Sequence, residues 1–97
     1  MNVLIGDIGN TLTKVALIDI ANYKIKKIIY LNSKNISSHN FLMRKLNKIV
    51  KRKNINSIAL FSSVVPKYQF ILSRFLKKYK IKLIEIKNKK IKKIMKV

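Results

Sequence analysis

The sequence predicts a single α/β domain, residues 1–97, built around a mixed five-stranded sheet. Three observations support this prediction. Runs of β-branched residues separated by turn signals fill the first third of the chain. Two segments of helical periodicity then alternate with further apolar runs, a pattern that favours helical crossovers between parallel strands. The 97 residues, 48% of them hydrophobic, suffice for one small core and leave no room for two domains.

The front of the chain is predicted to form three antiparallel strands. Residues 3–7 are a short apolar run that ends in a polar turn, as expected of a buried strand. A glycine–asparagine turn signal leads into residues 11–20, which should pair with the first strand as a hairpin. Residues 24–31 carry several lysines, so one side of this third strand should face water. Residues 32–37 are predicted to be a loop.

The rest of the chain is predicted to alternate helices and strands. Ser37 or Ser38 can cap a first helix that ends near residues 53–54. Residues 55–65 are the most apolar run and are predicted to be a central strand. Pro66 suits the first turn of a second helix, because its missing N–H is tolerated there. A strand at residues 80–87 and an unassigned basic tail at residues 88–97 complete the order β-β-β-α-β-α-β.

The composition excludes several classes of protein and site. The absence of cysteine excludes a disulfide framework and any thiolate metal site. One histidine and three carboxylates exclude a self-contained histidine–carboxylate metal centre. No apolar run approaches the roughly 18 residues that a membrane helix needs, and the N-terminus lacks the basic region of a signal peptide. We therefore expect a cytoplasmic protein with no membrane partner.

The net charge of +20 allows two interpretations. A strongly basic chain can bind nucleic acid or another polyanion. However, Lys, Ile and Asn dominate the composition, and all three have A/T-rich codons. Lys also outnumbers Arg by 20 to 3, although Arg grips phosphate and guanine better. Solvated surface lysines are the favoured interpretation, and a nucleic-acid partner is not expected, although a basic nucleic-acid binder stays an alternative.

One segment carries a pattern suited to phosphate chemistry. Both glycines of the chain flank Asp7, and the segment continues to Lys14. Gly9 lets a phosphate approach the backbone closely, while Asn10 and Thr11 offer hydrogen-bond donors. Asp7 can hold hydrated Mg²⁺, and Lys14 supplies positive charge for phosphate oxygens. Across a tight hairpin, Lys14 should face back towards the end of the first strand.

A structural interpretation of the same segment is also open. Asp7 and Asn10 could simply hydrogen-bond their own backbone in an Asx-type hairpin turn. An aspartate at the end of an apolar strand is costly unless it is solvated or employed, which favours the functional interpretation.

Two motifs resemble the type III pantothenate kinase family. The first is Asp7-Ile8-Gly9-Asn10-Thr11, which matches the D-x-G-N-T motif that opens these kinases. The second is Ser62-Ser63-Val64-Val65-Pro66, which resembles the family's S-S-V-V-P segment at the end of a strand. Together the two motifs are fairly specific, whereas each alone is weak. The spacing from the first motif to Lys14 resembles a subset of the family, which includes the proteins called Bvg accessory factor.

The resemblance implies a fold and a function. The fold would be one lobe of the ribonuclease H-like, actin-like architecture, the first of two lobes that clamp a nucleotide. The family phosphorylates pantothenate with ATP in the first step of coenzyme A synthesis, uses Mg²⁺ and a monovalent cation such as K⁺, and works as a dimer. In this chain Asp7 would contact Mg²⁺ through water, and Ser63, Val64, Val65 and Pro66 would line the cleft less directly. The resemblance places the ATP phosphates at Asp7, Ile8, Gly9, Asn10, Thr11, Leu12, Thr13 and Lys14.

The sequence also departs from the family pattern. The family carries a later G-x-D-R-type segment whose aspartate acts as general base, whereas this chain has neither Gly nor Asp after Pro66, so no catalytic residue is assigned. Gly6 stands where the family usually has an aliphatic residue. We therefore expect the second lobe to be absent. Three explanations stay open: a truncated gene product of a decaying genome, a split enzyme whose second half is another polypeptide, or a fragment. The alternative is a non-catalytic remnant that pairs with a partner, or with itself, through an uncovered sheet surface.

Overall fold

A computed structural model describes residues 1–52 and 54–86 of the chain. Five strands and two α-helices make up these residues, together with one short 3₁₀ helix. In chain order they are β1 (Asn2–Ile8), β2 (Leu12–Asp19), β3 (Lys24–Asn32), the 3₁₀ helix (Ser33–Ser37), α1 (His39–Val50), β4 (Ile55–Ser63), α2 (Pro66–Lys77) and β5 (Lys82–Glu85). The predicted basic tail, residues 88–97, lies outside the described residues.

The five strands form one mixed sheet in the order β3-β2-β1-β4-β5. β2 pairs antiparallel with both β1 and β3, as the hairpin signals predict. β4 pairs parallel with β1 and with β5, as expected for helical crossovers. The predicted α/β class with a mixed five-stranded sheet is confirmed. β4 lies inside the sheet as predicted, but β1 takes the middle position.

The central position of β1 explains its continuous apolar sequence. Six of its seven residues are buried, and the half-buried Asp7 is the exception. A strand that packs on both faces has no wet side, so its hydrophobic residues do not alternate with polar ones. β3, at the edge of the sheet, shows the opposite pattern, with Lys24, Lys26 and Lys27 exposed as predicted.

The two sheet faces carry separate apolar clusters. The first face packs against both helices, and we call it the helix face; its strand residues include Leu4, Ile8, Val15 and Phe61. The other face, which we call the opposite face, holds the smaller cluster Val3, Ile5, Ala16 and Ile18. These four residues are between 1% and 8% exposed, so the centre of the opposite face is buried.

Both α-helices begin where the sequence predicts. The Ser38 hydroxyl accepts a hydrogen bond from the Phe41 N–H at 3.3 Å and so caps α1. Pro66 is the first residue of α2. α1 ends at Val50, earlier than the predicted 53–54, because the Asn54 carbonyl already accepts a 2.9 Å hydrogen bond from the Asn2 N–H of β1. Lys53 lies outside the described residues.

Three local predictions differ from the structure. The predicted loop at 32–37 contains the 3₁₀ helix, because the side chain of Ile36 docks fully into the core. β5 begins at Lys82, later than the predicted residue 80, because Lys80 has a φ of 61° and the Ile81 N–H donates to the Leu76 carbonyl at 3.1 Å in the cap of α2. Residue 87, the predicted end of this strand, lies outside the described residues. The helical spacing of Phe70 predicts that it joins the apolar face of the second helix, but Phe70 is 63% exposed and its ring centroid lies 5.8 Å from the Arg74 guanidinium.

Within residues 1–52 and 54–86, neither helix has the length and apolar character needed to cross a membrane.

Candidate functional site

The β1–β2 hairpin brings the two ends of the predicted phosphate segment together. Asp7 is the register partner of Lys14, and Ile8 is the partner of Thr13. The connection closes through a 3.1 Å hydrogen bond from the Gly9 N–H to the Leu12 carbonyl. The prediction that Lys14 faces the end of the first strand is therefore confirmed.

Strand alternation divides the predicted phosphate residues between the two faces of the sheet. Asp7 and Lys14 lie on the opposite face and are both half-buried. Ile8 and Thr13 lie on the helix face and are 0% exposed, so their side chains are not accessible to a ligand at the hairpin. Asn10, Thr11 and Leu12 are exposed around the tip of the hairpin; this leaves the side chains of Asn10 and Thr11 accessible to a ligand.

Lys14 lies between an acidic and an aromatic neighbour. Asp7 is its register partner on β1, and Tyr30 is its partner on β3. The Lys14 Nζ lies 5.7 Å from the centroid of the Tyr30 ring, within the range of a cation–π contact. The two neighbouring strands thus hold the ammonium group on the same face as the Asp7 carboxylate.

Ser62 continues the line of neighbouring side chains formed by Tyr30, Lys14 and Asp7, and we call these four residues the polar row. The sequence prediction does not include Ser62 in the site. Ser62 is the register partner of Asp7 on the parallel strand β4, so both side chains leave the sheet on the opposite face. Ser62 is 8% exposed. It is the first serine of the S-S-V-V-P motif, whereas the prediction assigns the cleft to the second serine and the residues after it. The parallel register of β1 and β4 is the signal that identifies it.

The residues from Ser63 to Pro66 mainly build the junction between β4 and α2. The Ser63 hydroxyl accepts from the Val65 N–H at 3.1 Å and lies 3.0 Å from the Val65 carbonyl, as in a serine turn. The Val64 N–H donates to the Ile8 carbonyl at 3.1 Å, which ties this junction to the end of β1. Val64 is 57% exposed.

Each glycine answers a steric requirement. A Cβ at Gly9 would lie 2.7 Å from the Leu12 carbonyl oxygen, the acceptor that closes the hairpin. A Cβ at Gly6 would overlap three carbons of the Phe61 ring on the neighbouring strand. Gly6 therefore makes room for a fully buried aromatic side chain, which explains why this strand carries no aliphatic residue there.

Two other ionisable residues, Asp19 and His39, lie outside the polar row. Asp19, at the far end of β2, accepts from the Asn22 amide and the Ala21 N–H, both at 3.0 Å. These hydrogen bonds, the Asn22 one first, lower the pKa of Asp19 below its ordinary 3.8. The Asp19 side chain therefore stabilises the turn that follows β2. His39 begins α1 and is exposed, with its ring 6.0 Å from that of Phe75.

Comparison with known proteins agrees with the two motifs. The model of the type III pantothenate kinase family matches residues 3–97. The chain belongs to the type III pantothenate kinase family. A type III pantothenate kinase of Pelagibacter ubique (strain HTCC1062) is 44% identical over an alignment of 97 positions, which covers 98% of this chain and 38% of that relative. The chain therefore spans well under half the length of the curated relative it matches.

The family assignment bears on how a metal could be held at the site. Among the described residues there is no group of three or more His, Cys, Asp or Glu side chains that could enclose a metal. The polar row offers one carboxylate, Asp7, and one hydroxyl, Ser62, on the same face. Mg²⁺ bound together with phosphates commonly uses one or two carboxylates and keeps several waters, so this donor set fits Mg²⁺.

Proposed function

We propose that this chain forms the ATP-phosphate half of a type III pantothenate kinase. The complete activity is transfer of the γ-phosphoryl group of ATP to pantothenate, which gives 4'-phosphopantothenate in the first step of coenzyme A synthesis. The family match over residues 3–97 supports this function. The observation that carries it is the pairing of Asp7 with Lys14 on one face, directly beside the Gly9–Thr11 connection.

Each residue of the hairpin has a role that its position supports. The connection from Gly9 to Thr11 offers backbone and side-chain donors to phosphate oxygens. Lys14 contributes a positive charge to the same oxygens, and Tyr30 holds the ammonium group from the far side. Asp7 carries the opposite charge and would hold Mg²⁺ through water, with Ser62 beside it. When bound, Mg²⁺ would neutralise charge on the phosphates during transfer.

Pantothenate binding and catalysis need residues that this chain does not offer. No Asp or Gly occurs after Pro66, so the segment that positions the pantothenate hydroxyl in the family has no counterpart there. Phosphoryl transfer requires the donor and the acceptor to be held in line. We propose that a second lobe completes an actin-like clamp around the nucleotide, from further sequence or from a partner, within a cytoplasmic homodimer or a two-chain complex.

Calorimetric titration of the 97-residue chain with Mg·ATP, at physiological salt and with K⁺ present, tests the nucleotide site. We expect saturable binding that weakens by about tenfold or more in Asp7→Ala, because a charged metal contact is lost. Asp19→Ala is the matched control: it removes a carboxylate at the far end of β2 and raises the net charge by the same amount. Equal affinities of Asp7→Ala and the parent, or no binding by the folded parent, would overturn the proposal.

Replacing K⁺ by Na⁺ or a bulky organic cation in the same titration tests the monovalent-cation requirement that the family suggests. We expect weaker Mg·ATP binding without K⁺. Unchanged affinity in all three salts would remove the monovalent cation from the proposal and leave the nucleotide site intact.

A further inference from the structure

Two buried hydroxyl groups lie directly beneath the hairpin connection. Thr13 and Ser33 are both 0% exposed, and their side-chain oxygens are 2.8 Å apart. The Ser33 hydroxyl also donates to the Gly9 carbonyl at 2.6 Å, and the Ser33 N–H donates to the Thr11 carbonyl at 2.9 Å. A single residue at the start of the 3₁₀ helix thus binds three points of the phosphate segment.

The direction of each hydrogen bond in this group follows because each hydroxyl has only one proton to donate. A carbonyl oxygen can only accept, so the one hydroxyl proton of Ser33 is committed to the Gly9 carbonyl. The contact between the two side chains then requires Thr13 to donate to the Ser33 oxygen. The resulting chain runs from Thr13 through Ser33 to Gly9 and satisfies both buried hydroxyl groups, so neither one is left with an unpaired polar atom.

The bond to the Gly9 carbonyl fixes the orientation of a whole peptide group. In a planar trans peptide, the carbonyl of one residue and the N–H of the next point in opposite directions. Because Ser33 draws the Gly9 carbonyl towards the core, the Asn10 N–H must point away from Ser33, towards the outside of the hairpin. That side is where the exposed residues Asn10 and Thr11 lie and where a phosphate would approach.

We propose that Ser33, supported by Thr13, is a positioning residue that presents the Asn10 N–H to the phosphates of the nucleotide. This inference rests on the proposed function, since it assigns the anion to the same hairpin. Ser33 does not touch the ligand and acts through the Gly9–Asn10 peptide. Without its hydroxyl, the Gly9 carbonyl loses its partner and this peptide is free to rotate, so the amide is no longer held ready for an anion.

Three variants separate positioning from general stability. Ser33→Ala removes the bond to Gly9, and Thr13→Val removes only the supporting donor while keeping the shape of the side chain. Ile36→Val is the control, because Ile36 is a fully buried residue of the same 3₁₀ helix and lies in the apolar core. The Mg·ATP affinity is measured by calorimetry, the Asn10 amide by its NMR chemical shift and heteronuclear NOE, and stability by thermal unfolding.

We expect Ser33→Ala to weaken Mg·ATP binding about fivefold to tenfold and Thr13→Val about twofold, in line with the loss of one hydrogen bond or of its support. Both should shift the Asn10 amide resonance and lower its heteronuclear NOE in the absence of nucleotide, because the peptide becomes more mobile. Ile36→Val should lower the melting temperature while leaving the affinity and the Asn10 amide unchanged. If Ser33→Ala does not fold, Thr13→Val carries the test through the same two readouts.

Two results would count against the positioning role. Parental affinity together with an unshifted Asn10 amide in Ser33→Ala, or in Thr13→Val if the first variant does not fold, would overturn it. An affinity loss that Ile36→Val reproduces would also overturn it, because the effect would then follow stability alone. If the folded parent does not bind Mg·ATP, the proposed function fails, and the Asn10 amide of the variants still decides whether Ser33 orders the hairpin.

Discussion

At the end of β1, neighbouring side chains lie on opposite faces of the sheet and have different surroundings. On the helix face, Gly6 and Ile8 are buried, and Gly6 is fitted against the ring of Phe61. On the opposite face, Asp7 lies half-buried among Lys14 and polar or aromatic neighbours. Close packing explains Gly6 and Ile8, whereas Asp7 shares its face with the charged Lys14. One strand can therefore anchor the core and hold a charged side chain on its other face within three residues.

This difference predicts separable effects of substitution. Changes on the helix face should alter the free energy of unfolding, because they disturb close packing. Changes at Asp7 and Lys14 should alter ligand affinity and leave unfolding nearly unaffected, because these two side chains are only half-buried and lie outside the apolar clusters.

Substitution of Gly6 by Val should produce the largest effect. The new side chain would overlap the Phe61 ring, and overpacking of this kind costs about 3 kcal/mol of unfolding free energy. Denaturant unfolding measures the cost. The double variant Gly6→Val/Phe61→Leu should lose less unfolding free energy than the two single variants together, because the smaller leucine leaves room for the valine. A Gly6→Val protein as stable as the parent would show that Phe61 does not constrain this position.

Substitution of Lys14 by Met should act on affinity instead. Methionine keeps the length and apolar stem of the side chain but removes the charge, so Mg·ATP binding should weaken by about tenfold or more, as expected for a lost bond to a charged group. The melting temperature should stay close to that of the parent. Lys82→Met, an exposed residue of β5 with the same charge change, is the control for bulk electrostatics. Equal losses in the two variants would assign the effect to net charge alone.

The smallest effect is the pH dependence that Asp19 contributes. Its hydrogen bonds lower the pKa of the folded state, so the ionised carboxylate stabilises the fold above the unfolded value, near 3.8, and this contribution is lost as the pH falls through the lower folded value. The difference in melting temperature between the parent and Asp19→Ala should therefore be present at pH 7 and shrink at pH 2. Thermal unfolding at the two values measures it. A difference that is equal at both would contradict the assignment.

Local patterns were sufficient for much of the fold. The apolar run of β1, the turn signal after it and the β-branched run of β2 predict a hairpin, and the hairpin alone places Lys14 opposite Asp7. Ser38 and Pro66 mark the starts of the two helices for reasons that are purely local, namely a capping hydroxyl and a missing N–H. These predictions succeed because turn chemistry and periodicity act over only a few residues.

Contacts between distant segments could not be predicted from local patterns. The sequence of the 3₁₀ helix is typical of a polar loop. The role of Ser33 depends on its hydrogen bond to Gly9, which lies 24 residues earlier. The role of Gly6 similarly depends on which strand lies beside β1 and on its register. No local signal specifies either contact.

Local patterns along the chain are therefore enough to predict the class of the fold, the hairpin and the two motifs that indicate the family. Three features depend on long-range packing: Ser62 joins Asp7 on one face, Thr13 turns into the core, and Ser33 hydrogen-bonds to the hairpin connection. The physical reason is that local propensity fixes the elements and their turns, whereas the register between β1 and β4 and the docking of the 3₁₀ helix are set by burial of side chains from distant parts of the chain.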